Sequence, residues 1–157
     1  MHVFPLASLL FLASSAAAKS YQIRGVTAPV FHLYLQSTPM TSDNDTLLAV
    51  LGPEASGDEF DVGNTIQSTN NSLYLNIEDS SKTYKRVLFG EKATTTGWGL
   101  DGDTIITTTN SSYGRQQNFL ACELSNGMYQ LYLQTGNDMP CNKKCSKWQT
   151  IHLPCLC

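Results

Sequence analysis

The chain has 157 residues, of which 41% are hydrophobic and 15% charged, and its formal net charge is −3. This length allows one domain with an ordinary hydrophobic core, and the negative net charge argues against nucleic acid or an anionic membrane surface as a partner. Three lysines, Lys143, Lys144 and Lys147, make a small basic patch near the end, which is more typical of a solvated loop than of a binding site.

The first 18 residues have the layout of a secretory signal peptide. Residues 3–13 form a nearly unbroken apolar run, and small residues follow up to Ala18. The run is too short for a membrane anchor, because spanning a bilayer takes roughly 17 to 25 apolar residues. We therefore expect cleavage after Ala18, a single secreted domain over residues 19–157, no membrane span and an extracellular location, with the cell wall included.

The rest of the chain alternates apolar and polar residues with the period of β-strands, most clearly at 30–36, 73–77 and 128–134. Gly, Pro, Asn and Asp interrupt the pattern at short intervals, which leaves room for no helix longer than a turn around residues 79–85. Many short strands favour a closed or layered arrangement, since an open sheet leaves unpaired edges. We predict an all-β fold, a compact β-barrel or sandwich of many short antiparallel strands with a disulfide-closed C-terminal segment.

One hairpin is predicted within residues 94–109, where Asp101-Gly102 supplies the backbone freedom that a tight turn requires. The tripeptide Leu-Tyr-Leu occurs at 33–35, 73–75 and 131–133, which would suit a threefold β-trefoil. The spacing is irregular, however, and any amphipathic strand can contain this tripeptide. The barrel or sandwich is therefore the favoured architecture.

Three sequons, at Asn44, Asn70 and Asn110, lie in polar, turn-like stretches. In an exported eukaryotic chain such triplets are acceptors for N-linked glycans when they lie on the surface. We expect at least one of them to be glycosylated.

All five cysteines fall in the last quarter of the chain: Cys122, Cys141, Cys145, Cys155 and Cys157. In an oxidising compartment we expect disulfides, with one cysteine left over that would allow a disulfide-linked dimer. A bond between Cys155 and Cys157 would be strained, so each is expected to reach another segment, such as Cys122 or the loop from Cys141 to Cys145. The pairing itself stays open.

Catalytic motifs are absent from the sequence: there is no nucleophile elbow, no His-Glu-x-x-His and no phosphate-binding glycine loop. His32 and His152 lie in strand-like apolar stretches, where a structural histidine is the common outcome. We therefore predict a non-enzymatic protein without a cofactor or metal.

Two alternatives to this prediction involve charged or metal-binding side chains. The spacing of Cys141, Cys145, His152 and Cys155 would suit zinc, although exported thiols tend to oxidise first. The acidic residues Glu54, Asp58, Glu59 and Asp61 could supply a carboxylate pair for glycoside cleavage or oxygen ligands for calcium. A solvated loop explains the same acidic segment.

The two tryptophans receive different predictions. Trp98, flanked by two glycines, is a candidate platform for stacking against a sugar. Trp148 precedes a strand-like run and is predicted to be buried.

Three stretches carry a resemblance to a known family: Arg24-Gly25-Val26-Thr27-Ala28-Pro29-Val30-Phe31-His32-Leu33, Phe119-Leu120-Ala121-Cys122 and Leu131-Tyr132-Leu133-Gln134-Thr135-Gly136-Asn137-Asp138. They resemble a group of small secreted proteins of filamentous ascomycete fungi. That group includes cell-wall-associated proteins of spore-bearing cells and an elicitor of the rice blast type that triggers a hypersensitive response in plants. The resemblance implies a compact β-barrel-like fold, no cofactor and no catalytic residue to carry over. The unpaired cysteine of the tail departs from a simple disulfide pattern.

These observations favour a secreted fungal effector or elicitor that binds a host plant protein or cell-surface receptor and contributes to virulence or triggers plant defence. One alternative is a structural protein of the fungal cell wall, needed for sporulation or wall integrity and bound to a wall glycan. A second alternative is a carbohydrate-binding module that uses Trp98 and the tyrosines. A hydrolase that uses the acidic segment is the third.

Overall fold

The computed structural model describes residues 19–155, so the expected signal peptide and Cys157 lie outside the described residues. The described chain is almost entirely β-structure, as predicted. Its strands are β1 (Arg24–Gly25), β2 (Tyr34–Met40), β3 (Asp43–Gly52), β4 (Phe60–Val62), β5 (Ile66–Ser68), β6 (Tyr74–Ile77), β7 (Tyr84–Gly90), β8 (Trp98–Asp101), β9 (Thr104–Thr107), β10 (Phe119–Glu123), β11 (Tyr129–Gln134), β12 (Cys145–Gln149) and β13 (Ile151–His152). The one helical element within residues 19–155 is a 3-10 turn at Glu54–Ser56.

The strands form one antiparallel sheet that curves into a nearly closed barrel. The order along the sheet is β4-β5-β6-β7-β11-β3-β2-β1-β13-β9-β8, and β10 pairs with β11 and β12. The two ends approach each other, because the backbone N–H of Trp98 in β8 donates to the carbonyl of Asn64, just after β4, at 3.2 Å. This near closure confirms the predicted barrel and leaves few unpaired strand edges. No helix among residues 19–155 has the length and apolar character needed to cross a bilayer.

Three strands that are distant in sequence meet in a junction where each pairs with both others. β3 pairs with β7 near Leu48 and with β11 near Val50, and β7 pairs with β11 near Arg86. Because side chains alternate across a strand, one set from this junction enters the core and the next points outward. The inward set is fully buried: Ala49, Val87 and Leu131. The outward set forms the candidate site described below.

The predicted strands at 73–77 and 128–134 are confirmed as β6 and β11. The strand predicted at 30–36 begins only at Tyr34, because the preceding segment turns back on β1. His32 N–H donates to the carbonyl of Gly25 at 3.2 Å, and Leu33 N–H donates to that of Val30 at 3.0 Å.

The hairpin predicted within 94–109 is confirmed as β8 and β9. Asp101 pairs with Thr104, so the two turn residues are Gly102 and Asp103, and Gly102 has a φ of +61°. A glycine at the first central position is what one of the two favoured hairpin turns requires. The helical turn predicted around 79–85 does not form, since the chain is irregular up to Thr83 and Tyr84 already pairs with β11.

Candidate binding cleft

The outward side of the β3–β7–β11 junction carries two adjoining cavities, of about 340 and about 370 Å³, which we call the outer cleft. Arg86 and Tyr132 line both cavities, because the two residues pair directly across β7 and β11. The cavity that also includes Tyr84 and Cys141 is the tyrosine lobe, and the one that includes Lys143 is the lysine lobe. The connection between β11 and β12 supplies Cys141 and Lys143, so this segment forms one wall of the cleft.

Arg86 is held in place by Glu78. Its Nε lies 2.8 Å from Glu78 Oε2, and its Nη2 bonds the other carboxylate oxygen. The side-chain hydrogen bonds lower the pKa of Glu78 and raise that of Arg86 relative to their ordinary values. The remaining guanidinium nitrogen, Nη1, lies 3.6 Å from the sulfur of Met40, a weak acceptor. Arg86 therefore keeps donor capacity toward the lysine lobe.

Tyr132 lies under the cleft and is 4% exposed. Burial raises the pKa of its hydroxyl to about 12, so the hydroxyl stays protonated at physiological pH. The ring packs edge-on against Tyr84, with the centroids 5.9 Å apart. The two aromatic rings give the cleft a rigid apolar base.

Lysines lie over these rings. Lys143 Nζ is 5.9 Å from the centroid of Tyr132 and donates to Gln130 Oε1 at 3.0 Å, and Lys82 Nζ is 5.3 Å from the centroid of Tyr84. A cation over an aromatic face is held electrostatically by the ring. Of the described residues that line the cleft, three are cationic and one is a carboxylate: Lys82, Arg86, Lys143 and Glu78. The cleft is therefore positive although the whole chain is negative.

The cysteines confirm part of the predicted disulfide framework. Cys122 and Cys145 face each other directly across β10 and β12 and are bonded, with Cα atoms 4.0 Å apart. Cys141 is a free, exposed thiol on the tyrosine lobe. Cys155 also takes part in a disulfide. Because Cys122 and Cys145 are bonded to each other and Cys141 is free, the expectation that Cys155 reaches Cys122 or the loop from Cys141 to Cys145 is wrong. The zinc alternative is wrong too, because Cys145 and Cys155 are not thiolates.

The two tryptophan predictions are both wrong. Trp98 is 2% exposed, and its Nε1 donates to the carbonyl of Leu75 at 3.2 Å, so the ring belongs to the core and offers no stacking platform. Trp148 is 56% exposed. It lies where β12 bulges against β10, and its φ of 59° turns the side chain outward.

His32 and His152 differ in their exposure and in their contacts. His152 is the structural histidine that was predicted: its Nε2 lies 2.7 Å from Thr150 Oγ1 and its Nδ1 3.1 Å from Asp103 Oδ1. This chain of hydroxyl, imidazole and carboxylate resembles a nucleophile–base–acid array, but it lies outside the outer cleft. His32 is exposed on the turn before β2 and stacks on Phe31, with the ring centroids 4.0 Å apart.

The acidic segment does not assemble into a metal site. No group of three or more His, Cys, Asp or Glu side chains in the described part of the chain is placed to hold a metal ion. Exposed Glu59 accepts from Ser20 Oγ at 2.6 Å, whereas Asp58 is partly buried. Asp58 Oδ2 and Asp61 Oδ1 are buried atoms without a hydrogen-bond partner.

The three sequon asparagines, Asn44, Asn70 and Asn110, are all exposed. Asn70 and Asn110 lie in turns, as predicted, whereas Asn44 lies in the exposed first part of β3. Glycosylation of these side chains stays a prediction.

The chain matches no known protein family, no curated protein and no solved structure. Functional assignment therefore depends on the site geometry and on the residues quoted for the resemblance. Sequence reasoning missed the outer cleft as a site. Its signals were present separately, in the tyrosine of the third Leu-Tyr-Leu and in Lys143 of the basic patch.

Proposed function

We propose that this protein is a secreted fungal effector or elicitor that acts by binding at the host-plant interface. It would belong to the class of extracellular binding proteins that are built on a disulfide-closed β-barrel. The observation that carries the proposal is the outer cleft, a concave, positively charged site whose base is two packed tyrosines on rigid strands. A well-formed pocket into which several polar side chains point is the default hypothesis for a binding site.

Secretion and the plant host are supported by the signal-peptide pattern and by the fungal resemblance. The partner would be a host plant protein or cell-surface receptor. Loops presented by a rigid scaffold commonly supply such recognition, and the connection between β11 and β12 is one of these loops.

Leaf infiltration tests the proposal. Residues 19–157 are produced in an oxidising host and infiltrated beside the same protein after reduction and alkylation. We expect cell death or a defence burst from the oxidised form only, because the fold and the Cys122–Cys145 bond are needed to present the site. If the oxidised protein produced no response and deletion of the gene left infection unchanged, the proposal would be wrong. Retention of the protein on washed hyphal walls would then favour the structural wall role.

A second candidate function, carbohydrate binding, is favoured by the exposed ring of Trp148. Aromatic rings with one free face stack on sugars, and Trp148 now takes the place that was predicted for Trp98. A pull-down on insoluble chitin, glucan and cellulose tests it. We expect Trp148→Ala to abolish retention and Phe31→Ala, which removes another exposed ring (59% exposed), to leave it unchanged. Equal retention of both variants and the parent would contradict carbohydrate binding through Trp148.

We also propose that the exposed thiol of Cys141 allows a disulfide-linked dimer. Because Cys141 lines the tyrosine lobe, such a dimer would cover part of the outer cleft. Non-reducing electrophoresis of oxidised protein should show a dimer band that Cys141→Ser removes. A dimer that persists in this variant would place the linkage elsewhere.

A further inference from the structure

The lysine lobe has a charge pattern that suits an anion. Arg86 and Lys143 both line it, and none of the described residues that line it is Asp or Glu. Glu78, which holds Arg86, lines the tyrosine lobe instead. An anion in the lysine lobe would therefore meet two cations and no lining carboxylate.

Donor groups in this lobe have spare capacity. Arg86 Nη1 is directed at the thioether of Met40, which is a weak acceptor, and an ammonium such as that of Lys143 has three donors, of which Gln130 accepts one. Thr41 and Ser42 also line the lobe. A carboxylate would be a better partner for Arg86 Nη1 than the sulfur, because charge-assisted hydrogen bonds are roughly twice as strong as neutral ones.

Apolar side chains also line the lobe. Met40, Leu48 and Leu124 are among its lining residues, and the cavity of about 370 Å³ is within the range of small-ligand sites. A sugar ring packed against these three side chains would leave hydroxyls facing carbon, and unpaired buried hydroxyls cost binding free energy. The three side chains fit an apolar ring or chain better than a sugar ring.

We propose that the lysine lobe binds a small amphipathic carboxylic acid. Its carboxylate would lie between Arg86 and Lys143, and its apolar body would pack on Met40, Leu48 and Leu124. This inference rests on the proposal that the protein acts by binding, and it names the ligand class of that cleft. The binding is non-covalent, so no bond is made or broken.

Calorimetric titration of residues 19–157 with naphthalene-2-carboxylate tests the inference, with the neutral naphthalene-2-carboxamide as the matched probe. We expect the carboxylate to bind at least about tenfold more tightly than the amide, the effect of one charge-assisted hydrogen bond. Equal affinity of the two probes, or no heat of binding from the carboxylate, would overturn the inference. Galacturonate and inorganic phosphate are titrated in parallel, and tighter binding of either one would also overturn it.

The chain offers a matched pair of lysine variants. Lys143 lines the lobe. The side chain of its neighbour Lys144 is 89% exposed, and its Nζ lies 3.6 Å from Glu123 Oε2 on the surface. We expect Lys143→Met to weaken naphthalene-2-carboxylate binding about tenfold and Lys144→Met to leave it unchanged. An equal loss in both variants would mean non-specific attraction to the basic patch and would contradict a built site. Both lysines are exposed, so neither variant threatens the fold.

The leaf assay separates this inference from the proposed function. A protein that triggers a leaf response but binds no carboxylate would contradict the ligand class alone. A protein that binds the carboxylate through Lys143 but triggers no response would contradict the effector role alone.

Discussion

At the scale of single residues, the burial of the two tryptophans is the opposite of what their sequence context suggested. Trp98 lies between two glycines, which made an exposed platform plausible, yet its position in β8 points the ring into the core. Trp148 precedes a strand-like run, which suggested burial, yet a bulge turns it outward. Local pattern could not predict either outcome, because the bulge depends on how β12 pairs with β10, a strand far away in sequence.

The two tryptophans should therefore differ in their effect on stability. Trp98→Ala leaves a large core cavity and removes a hydrogen bond to the Leu75 carbonyl, so we expect a loss of about 3 to 5 kcal/mol in the free energy of unfolding. Trp148→Ala should change it by less than about 0.5 kcal/mol, as is usual for a surface substitution. Urea denaturation followed by fluorescence measures both. Similar losses for the two variants would contradict the assigned burial.

The Asp58 carboxyl should make stability depend on pH. Burial raises its pKa above the ordinary value of 3.8, only partly offset by a hydrogen bond from the Ser37 backbone. The folded protein therefore holds this proton at higher pH than the unfolded chain does, so stability falls as pH rises from the unfolded to the folded pKa. Asp58→Asn, which is neutral at every pH, should be more stable than the parent at pH 7.

Thermal melts between pH 3 and pH 7 measure this difference, which should shrink as the parent carboxyl becomes protonated. Asp45→Asn is the control, because that side chain is exposed. A destabilised Asp58→Asn variant at pH 7 would show that the ionised carboxylate has a stabilising partner and would contradict the prediction.

At the scale of elements, turn residues and apolar–polar alternation predicted the hairpin and the strands that depend on local sequence. The hairpin was predicted from Asp101-Gly102, and its turn lies one residue further on, at Gly102 and Asp103. Strands at 73–77 and 128–134 were predicted from alternation, whereas the start of β2 was not, because hydrogen bonds back to β1 fold residues before Tyr34 into a turn. Alternation alone carries no information about such tertiary contacts.

Two glycines in this region should tolerate alanine unequally. At Gly102 a Cβ would meet nothing within 4 Å, so Gly102→Ala should cost only the backbone penalty of its positive φ, about 1 kcal/mol. At Gly97, whose φ is +81°, a Cβ would lie 2.7 Å from the backbone of Ser111, so Gly97→Ala should cost more. Chemical denaturation of the two variants ranks them. A smaller loss at Gly97 would contradict the close approach of the two chain segments.

The Cys122–Cys145 bond should be the main covalent contribution to stability within the described residues. Its partners are 23 residues apart, and closing a loop of that order stabilises a fold by about 3 kcal/mol. The double variant Cys122→Ala/Cys145→Ala should therefore lose about that free energy of unfolding. Cys141→Ala, at a free exposed thiol, is the control and should lose almost none. Equal stability of the double variant and the control would refute this role.

At the scale of the whole molecule, fold class was predictable and the site was not. Dense turn signals and short alternating stretches indicate a closed antiparallel sheet, and the barrel confirms it. The outer cleft requires Leu48, Arg86 and Tyr132 to meet on one face, which follows from the pairing of three strands far apart in sequence. No local pattern encodes the register of these three strands, so the sequence analysis assigned Lys143 only to a solvated basic patch.

Our central proposal is that the protein acts on plant tissue by binding through the outer cleft, and a leaf dose–response comparison of three oxidised proteins tests this proposal most directly. We expect residues 19–157 and the Lys144→Met variant to trigger a defence burst at the same dose, because Lys144 does not line the cleft. Lys143→Met should need about tenfold more protein, the effect expected from losing one charged contact. If all three proteins were equally active, or if none produced a response, the proposal would be contradicted.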